Sequence, residues 1–332
     1  MNPKRILYFD AIKLIAVIFV FVCHFARTLE YYQISYSLKL LPDNIFSVYT
    51  GSVGCALFFI VSGASLFYVY QDNLDLKTYF IKRIKGIYPM FWISFVIFFC
   101  IQFYIDGGYN SNIPISRSLL TLIGFDGTMA YFYSTFYTVG EWFLGILIIM
   151  YLIFPILKKW VDEFPYATFL VCYMGGIILD YLCDDQRTLF FEWIPFFVFG
   201  MVFYKCIRKV NGYILFGAMV ILAIFTVFDL KSINNMIRAY FVCTAFFLIL
   251  VYLFENFNGS VFIAVSRFVG RFCYPIFLVH HRLMLIFMKK FSNSTFYKGD
   301  VICMFIFMIM ITLIVSYFLD KLTSSLLAIW RK

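Results

Sequence analysis

The hydrophobic pattern of this chain comes in long blocks, not in the alternation of a half-buried strand. Apolar runs of about 20 residues, enough to cross a bilayer, recur at roughly 6–28, 46–70, 84–105, 139–157, 165–182, 189–205, 212–229, 236–254, 272–290 and 300–322. They predict an all-α polytopic membrane protein with about ten transmembrane helices. A single integral-membrane domain over 1–332, with no appended soluble domain, is expected. The longest connection, about 106–138, holds Gly107, Gly108, Pro114, Gly124 and Gly127, so a structured or re-entrant loop is expected there.

Composition agrees with the pattern. The chain is 63% hydrophobic and 14% charged, too apolar for a soluble fold of this length. Its 45 Phe and 25 Tyr suit lipid-facing helices with ring-bearing ends. The net charge of +9 does not point to nucleic acid, because the basic residues sit in short connections beside apolar spans. With the N-terminus inside, Lys4, Arg5, Lys77, Lys82, Arg83, Lys85, Lys158, Lys159, Lys205, Arg208, Lys209, Arg267, Arg271, Lys321, Arg331 and Lys332 face the cytoplasm. Fewer face outward: Arg27, Lys39, Arg117, Arg187, Lys231 and Arg238, with Lys289, Lys290 and Lys298 running against the bias. Both termini are therefore expected in the cytoplasm. The nine cysteines form no C-x-x-C pair and read as small hydrophobes. The N-terminus has a signal-like outline, but Asp10 and Lys13 would spoil an apolar signal core, so it is read as a retained first helix.

That first span carries the candidate chemistry. At about 100° per residue, Lys13 and His24 differ by about 20° around the axis, and Asp10 lies about 40° to the other side of His24. All three share one face. Asp10 and Lys13 stand at i,i+3 and can pair. His24 lies about 16 Å further along the helix, too far for either to orient it directly. Ionisable groups in a span are costly unless they face a bundle interior or a watery cavity. The stripe fits an enzyme or a transporter.

The ordered motifs resemble the membrane acyltransferase-3 family. D-A-I-K-L-I-A-V-I-F-V-F-V-C-H (10–24) is similar to its opening helix, in which a basic residue precedes a His at the spacing of Lys13 and His24. F-F-I-V-S-G-A-S-L-F (58–67), the loop K-R-I-K-G-I-Y-P (82–89), E-W-F-L-G-I-L-I-I-M-Y-L-I-F-P (141–155), F-F-V-F-G (196–200) and Y-P-I-F-L-V-H (274–280) resemble later landmarks, in order. Two positions depart from the family: Gly86 stands where many members have a second Arg, and Leu147 where peptidoglycan-modifying members have a Glu.

The resemblance implies an O-acyltransferase of a bacterial cytoplasmic membrane. Acetyl would move from cytoplasmic acetyl-CoA to a hydroxyl of a surface polysaccharide or lipid-linked glycan. His24 is the expected general base, since imidazole titrates near neutrality; a covalent acetyl-His is the variant left open. Lys13 is expected at the pantetheine arm or a CoA phosphate, with Asp10 holding it. Arg83, flanked by Lys82 and Lys85, is the expected phosphate contact. Ser62, next to Gly63, either touches substrate or lets helices approach closely. Glu141 and Trp142 either meet the sugar or anchor the interface. His280 matches a family landmark beside Pro275, which is expected to break or kink its helix; His281 is expected to face elsewhere. No metal site is expected. The alternative is a proton-coupled transporter or flippase of a glycan or lipid-linked sugar, which an internal repeat would favour; none is visible.

Overall fold

A computed structural model describes residues 5–107, 112–136, 139–182, 191–228, 233–255, 257 and 259–329, apart from the side chains of Asp106, Glu141 and Ile329. Lys4, Gly108, Cys183, Arg187, Lys231, Arg331 and Lys332 lie outside the described residues.

The helices are α1 Leu7–Tyr31, α2 Thr50–Val69, α3 Leu76–Asp106, α4 Ser118–Ile123, α5 Asp126–Met129, α6 Glu141–Glu163, α7 Pro165–Leu182, α8 Ile194–Val202, α9 Gly212–Val227, α10 Asn235–Glu255, α11 Ser260–Met288 and α12 Lys298–Ile329. A π-helical turn, Phe203–Ile207, continues α8. Among the described residues, eight helices are long and apolar enough to cross a membrane, and α8 with its π turn and α9 are shorter apolar helices. The chain is thus an all-α multi-pass membrane protein. Among the described residues there are also four two-residue strands: β1 (Ser35–Tyr36) pairs in parallel with β4 (Thr295–Phe296), and β2 (Asn44–Ile45) antiparallel with β3 (Val48–Tyr49).

Two helices differ from their expected spans. The basic segment 82–89, expected as a loop, lies inside α3. That helix starts early because the Asp75 carboxylate caps it, accepting from the Thr78 amide at 2.9 Å, and it ends at Gly107 in the left-handed conformation. Helix α11 begins at Ser260 and continues through Pro275, so of the expected break or kink the break does not occur. Polar turns at a helix end extend it past the apolar stretch that a bilayer scan detects.

The chain clusters into two compact units interleaved along the sequence. The first comprises 1–20, 42–74 and 150–271. Its central feature is the crossing of α2 and α8. A Cβ on Gly63 would lie 2.0 Å from the Phe197 carbonyl oxygen, and one on Gly200 would lie 1.9 Å from that of Ile60. Two glycines thus let two backbones touch.

The second unit comprises 21–41, 75–149 and 272–332. Phe21, Phe25 and Leu29 of α1 pack with Met284 and Met288 of α11 and with Val301 and Met308 of α12. The i,i+4 spacing in α1 and α11 and the i,i+7 spacing in α12 give each helix one apolar stripe. The connection after α3 is structured, as expected. It folds back so that the Trp92 indole donates to the Leu122 carbonyl at 3.0 Å and the Tyr88 hydroxyl to that of Ile123 at 3.2 Å. Trp92 lies fourteen residues before the end of α3, so the segment returns about 20 Å along that helix.

Candidate functional site

The second unit gathers all three histidines of the chain. His24 comes from α1, and His280 and His281 from α11. The ring centroids of His24 and His281 are 4.3 Å apart, and those of His24 and His280 5.0 Å. His281, expected to face elsewhere, is the closer of the two to His24. Consecutive helical residues differ by about 100°, so a ring lodged against the groove between them meets both.

The roles of the rings differ. His280 is buried, and its Nδ1 lies 3.0 Å from the carbonyl oxygens of Ile276 and Phe277. A carbonyl only accepts, so Nδ1 carries the proton and donates, leaving the lone pair on Nε2. The back-bond to the helix's own carbonyls fixes this ring. His24 and His281 are only partly buried.

Aromatic rings extend the site. Phe277 lies 6.4 Å from His280 and 5.2 Å from Phe143, which makes an edge contact with Trp142 at 6.2 Å. Trp142 is further tied by its carbonyl, which accepts from the Thr128 hydroxyl at 2.9 Å. In the other direction, the Tyr274 hydroxyl donates to the Ile87 carbonyl of α3 at 3.0 Å. Ile87 is one turn past Arg83. The Arg83 guanidinium lies over the ring of buried Tyr79, 5.9 Å from its centroid, while Lys82 and Lys85 are exposed. From Arg83 to Ile87 and then from Tyr274 to His280 is roughly 15 Å of helix rise. The same unit therefore holds Arg83, Lys82, Lys85, Trp142, His24 and His280.

Three expected residues stand elsewhere. Asp10 pairs with Arg5, not with Lys13. Arg5 also donates to the Arg267 carbonyl at 3.0 Å, so this buried carboxylate anchors the start of α1 to α11 within the first unit. Lys13 makes no ion pair among the described residues. The Ser62 hydroxyl is 3.3 Å from that of Tyr151, beside the Gly63 crossing. Glu141 opens α6, but its side chain lies outside the described residues. No cluster of three metal-ligating side chains occurs among the described residues.

Sequence reasoning also missed Arg282, Gln102 and Asp126. Arg282 follows the two histidines and donates to the Gln102 side-chain oxygen at 2.7 Å. The basic triplet H-H-R inside an apolar run was the available signal. Asp126 is buried at the start of α5, outside the spans, and burial pushes its carboxyl from 3.8 up to about 6, with the Thr121 hydroxyl acting the other way. Between about pH 4 and pH 6 the folded protein holds a proton that the unfolded chain has lost. Stability should therefore fall as pH rises through that window, by about 3 kcal/mol in all. Asp126→Asn should flatten the curve, read as the melting temperature in detergent at pH 4 and pH 7; an unchanged pH slope would contradict this.

Comparison with known proteins bears on the same residues. The family model described as "Acyltransferase domain" matches residues 6–321. A protein of Acidianus two-tailed virus, provisionally named acetyltransferase ORF330, is 27% identical over 177 residues, which cover 51% of this chain and 51% of that protein. The chain thus spans about half the length of the curated relative it matches. No solved structure matches the chain.

Proposed function

The chain belongs to the acyltransferase-3 family, and on that premise we propose that it is a membrane O-acetyltransferase of the cytoplasmic membrane of a bacterium, with both termini in the cytoplasm. Acetyl passes from cytoplasmic acetyl-CoA to a hydroxyl of a surface polysaccharide or lipid-linked glycan. The observation that carries this is the gathering of all three histidines in the unit that also holds the basic turn of α3.

A sugar hydroxyl is a weak nucleophile and needs a base at neutral pH. His24 removes its proton as the oxygen attacks the thioester carbonyl. The new C–O bond forms, the C–S bond breaks, and the sulfur leaves with the electron pair to become the CoA thiol once protonated. Arg83, held over Tyr79, offers a planar fork to a CoA phosphate, and Lys82 and Lys85 add positive charge. The roughly 15 Å from Arg83 to the histidine level suits an extended pantetheine arm. Trp142 presents an indole face of the kind on which a sugar ring stacks, and His280, with its tautomer fixed, offers Nε2 to an acceptor hydroxyl. Asp10 and Ser62 serve packing: the first is taken up by Arg5, the second by Tyr151.

The test uses the full chain in lipid nanodiscs with acetyl-CoA and a surface-glycan fraction, following release of free CoA. Arg83→Ala should raise the KM for acetyl-CoA about 10- to 150-fold, the worth of one charged hydrogen bond at about 1.5–3 kcal/mol. Glycan uptake into vesicles without release of CoA would sink the acyltransferase in favour of a transporter.

A further inference from the structure

We infer that Ser94 of α3 and Thr312 and Ser316 of α12 hold the pantetheine arm of acetyl-CoA, each hydroxyl bonding one of the arm's amide or hydroxyl groups. The inference rests on the reading of the chain as an acetyl-CoA-dependent acyltransferase.

A hydroxyl inside a helix has a default partner, the backbone carbonyl one turn back. Thr28, Thr168, Thr226, Thr244 and Thr323 all use it, at 2.6 to 2.8 Å. Ser94, Thr312 and Ser316 do not. Each is 1% exposed, and none of the three hydroxyls has a hydrogen-bond partner among the described residues. A hydroxyl buried in this way costs stability, although a turn about χ1 would bring it to the carbonyl behind it. All three belong to the second unit, and each is held ready for a partner that the chain itself does not supply.

Their depths follow from contacts between the helices. Two ties set α3 against α11: the Tyr274 hydroxyl bonds the Ile87 carbonyl at 3.0 Å, and the Arg282 guanidinium bonds the Gln102 side chain at 2.7 Å. Ser94 falls between Ile87 and Gln102, as His280 falls between Tyr274 and Arg282. It stands eleven residues past Arg83, so it lies within about 20° of Arg83 around the helix and about 16 Å further along. On α12 the marks are Tyr317, whose ring is 6.3 Å from that of Phe272, and Met308, which packs with Met284. Thr312 and Ser316 lie between these marks, one turn apart, and continue the buried stripe of Met308. They are thus level with the stretch of α11 that carries Tyr274 and His280. The three hydroxyls occupy the depths between the basic turn of α3 and the histidines.

The chemistry suits the arm. Pantetheine is a narrow chain in which two amides and one hydroxyl are separated by apolar carbons. A serine or threonine hydroxyl both donates and accepts, so it serves an amide N–H or an amide carbonyl equally. None of the three is charged, which matches a neutral arm and leaves the phosphates to Arg83.

The test measures binding to the full chain in nanodiscs by calorimetry, with acetyl-CoA and with adenosine 3′,5′-bisphosphate, which has no pantetheine arm. Ser94→Ala, Thr312→Val and Ser316→Ala should each weaken acetyl-CoA about 3- to 10-fold, the worth of one neutral hydrogen bond, and leave the bisphosphate unchanged. Without ligand, each variant should melt at or above the wild-type temperature, because a buried hydroxyl without a partner has been removed. Equal weakening of both ligands would overturn the inference. So would a lower melting temperature in all three variants, which marks hydroxyls that serve the fold. Wild type and variants that bind acetyl-CoA equally well would remove the three hydroxyls alone, whereas a wild type that binds no acetyl-CoA would remove the donor and the reading beneath it.

Discussion

Replacing His24 with alanine should lower acyl transfer by about 10²- to 10⁴-fold, the range of a general base, while acetyl-CoA still binds. The geometry separates these two effects. His24 meets the other imidazoles by its ring, whereas the packing of that stretch of α1 comes from Phe21, Phe25 and Leu29. The ring itself is only partly buried, so its loss leaves little void. The Thr28 hydroxyl bonds the His24 backbone carbonyl, which alanine retains. The variant should therefore fold, bind acetyl-CoA with a near-normal Kd by calorimetry, and release thiol only slowly. Full turnover in His24→Ala would remove it as the base. Accumulation of a stable acetylated histidine in a donor-only incubation would favour the covalent route over direct transfer.

The second large effect concerns folding. Gly200→Leu should abolish a folded, monodisperse protein in detergent, and Gly200→Ala should lower its melting temperature sharply. A Cβ at this position would meet the Ile60 carbonyl oxygen at 1.9 Å, and the atom in its way belongs to the backbone, which cannot rotate aside as a side chain can. The reciprocal contact at Gly63 means that the two helices must separate at both places. Overpacking costs about 1–3 kcal/mol when side chains can adjust, and more where they cannot. Gly175→Ala in α7 and Gly217→Ala in α9 are the controls: a Cβ there meets nothing within 4 Å, so helix propensity should leave them neutral or slightly more stable. A Gly200→Ala protein that melts with the controls would contradict the crossing.

Residue by residue, the limits of the sequence have physical causes. The span at 165–182 is the helix Pro165–Leu182, because proline opens it and the apolar stretch fills it. The short α8 fits poorly with a scan tuned to full crossings. The stripe of Asp10, Lys13 and His24 follows from one helix and one angle. Partners do not follow in that way. Asp10 found Arg5 because a long guanidinium reaches forward from just before the helix, while i,i+3 spacing only makes the Lys13 pairing available. His281 was hidden because helical angle gives the direction of a side chain but not the place of the neighbouring helix. The α4–α5 segment is too short and too polar at its edges to register as apolar periodicity, although its glycines marked it as structured.

The small clasp at the ends of α1 and α11 has a bearing on biosynthesis. Strand β1 follows α1 and strand β4 follows α11, and Ser35 pairs with Thr295. The Tyr32 hydroxyl donates to the Leu285 carbonyl at 2.9 Å, and the Asn293 amide to that of Tyr32 at 3.0 Å. These ties join partners that leave the ribosome some 260 residues apart, at roughly 5–20 residues per second. His24 is thus made early and waits, without its imidazole neighbours, until α11 enters the bilayer. A nascent or truncated chain ending before α11 has His24 but not the cluster. If the proposed mechanism holds, chain order alone withholds acyl transfer until α11 has entered the bilayer beside α1.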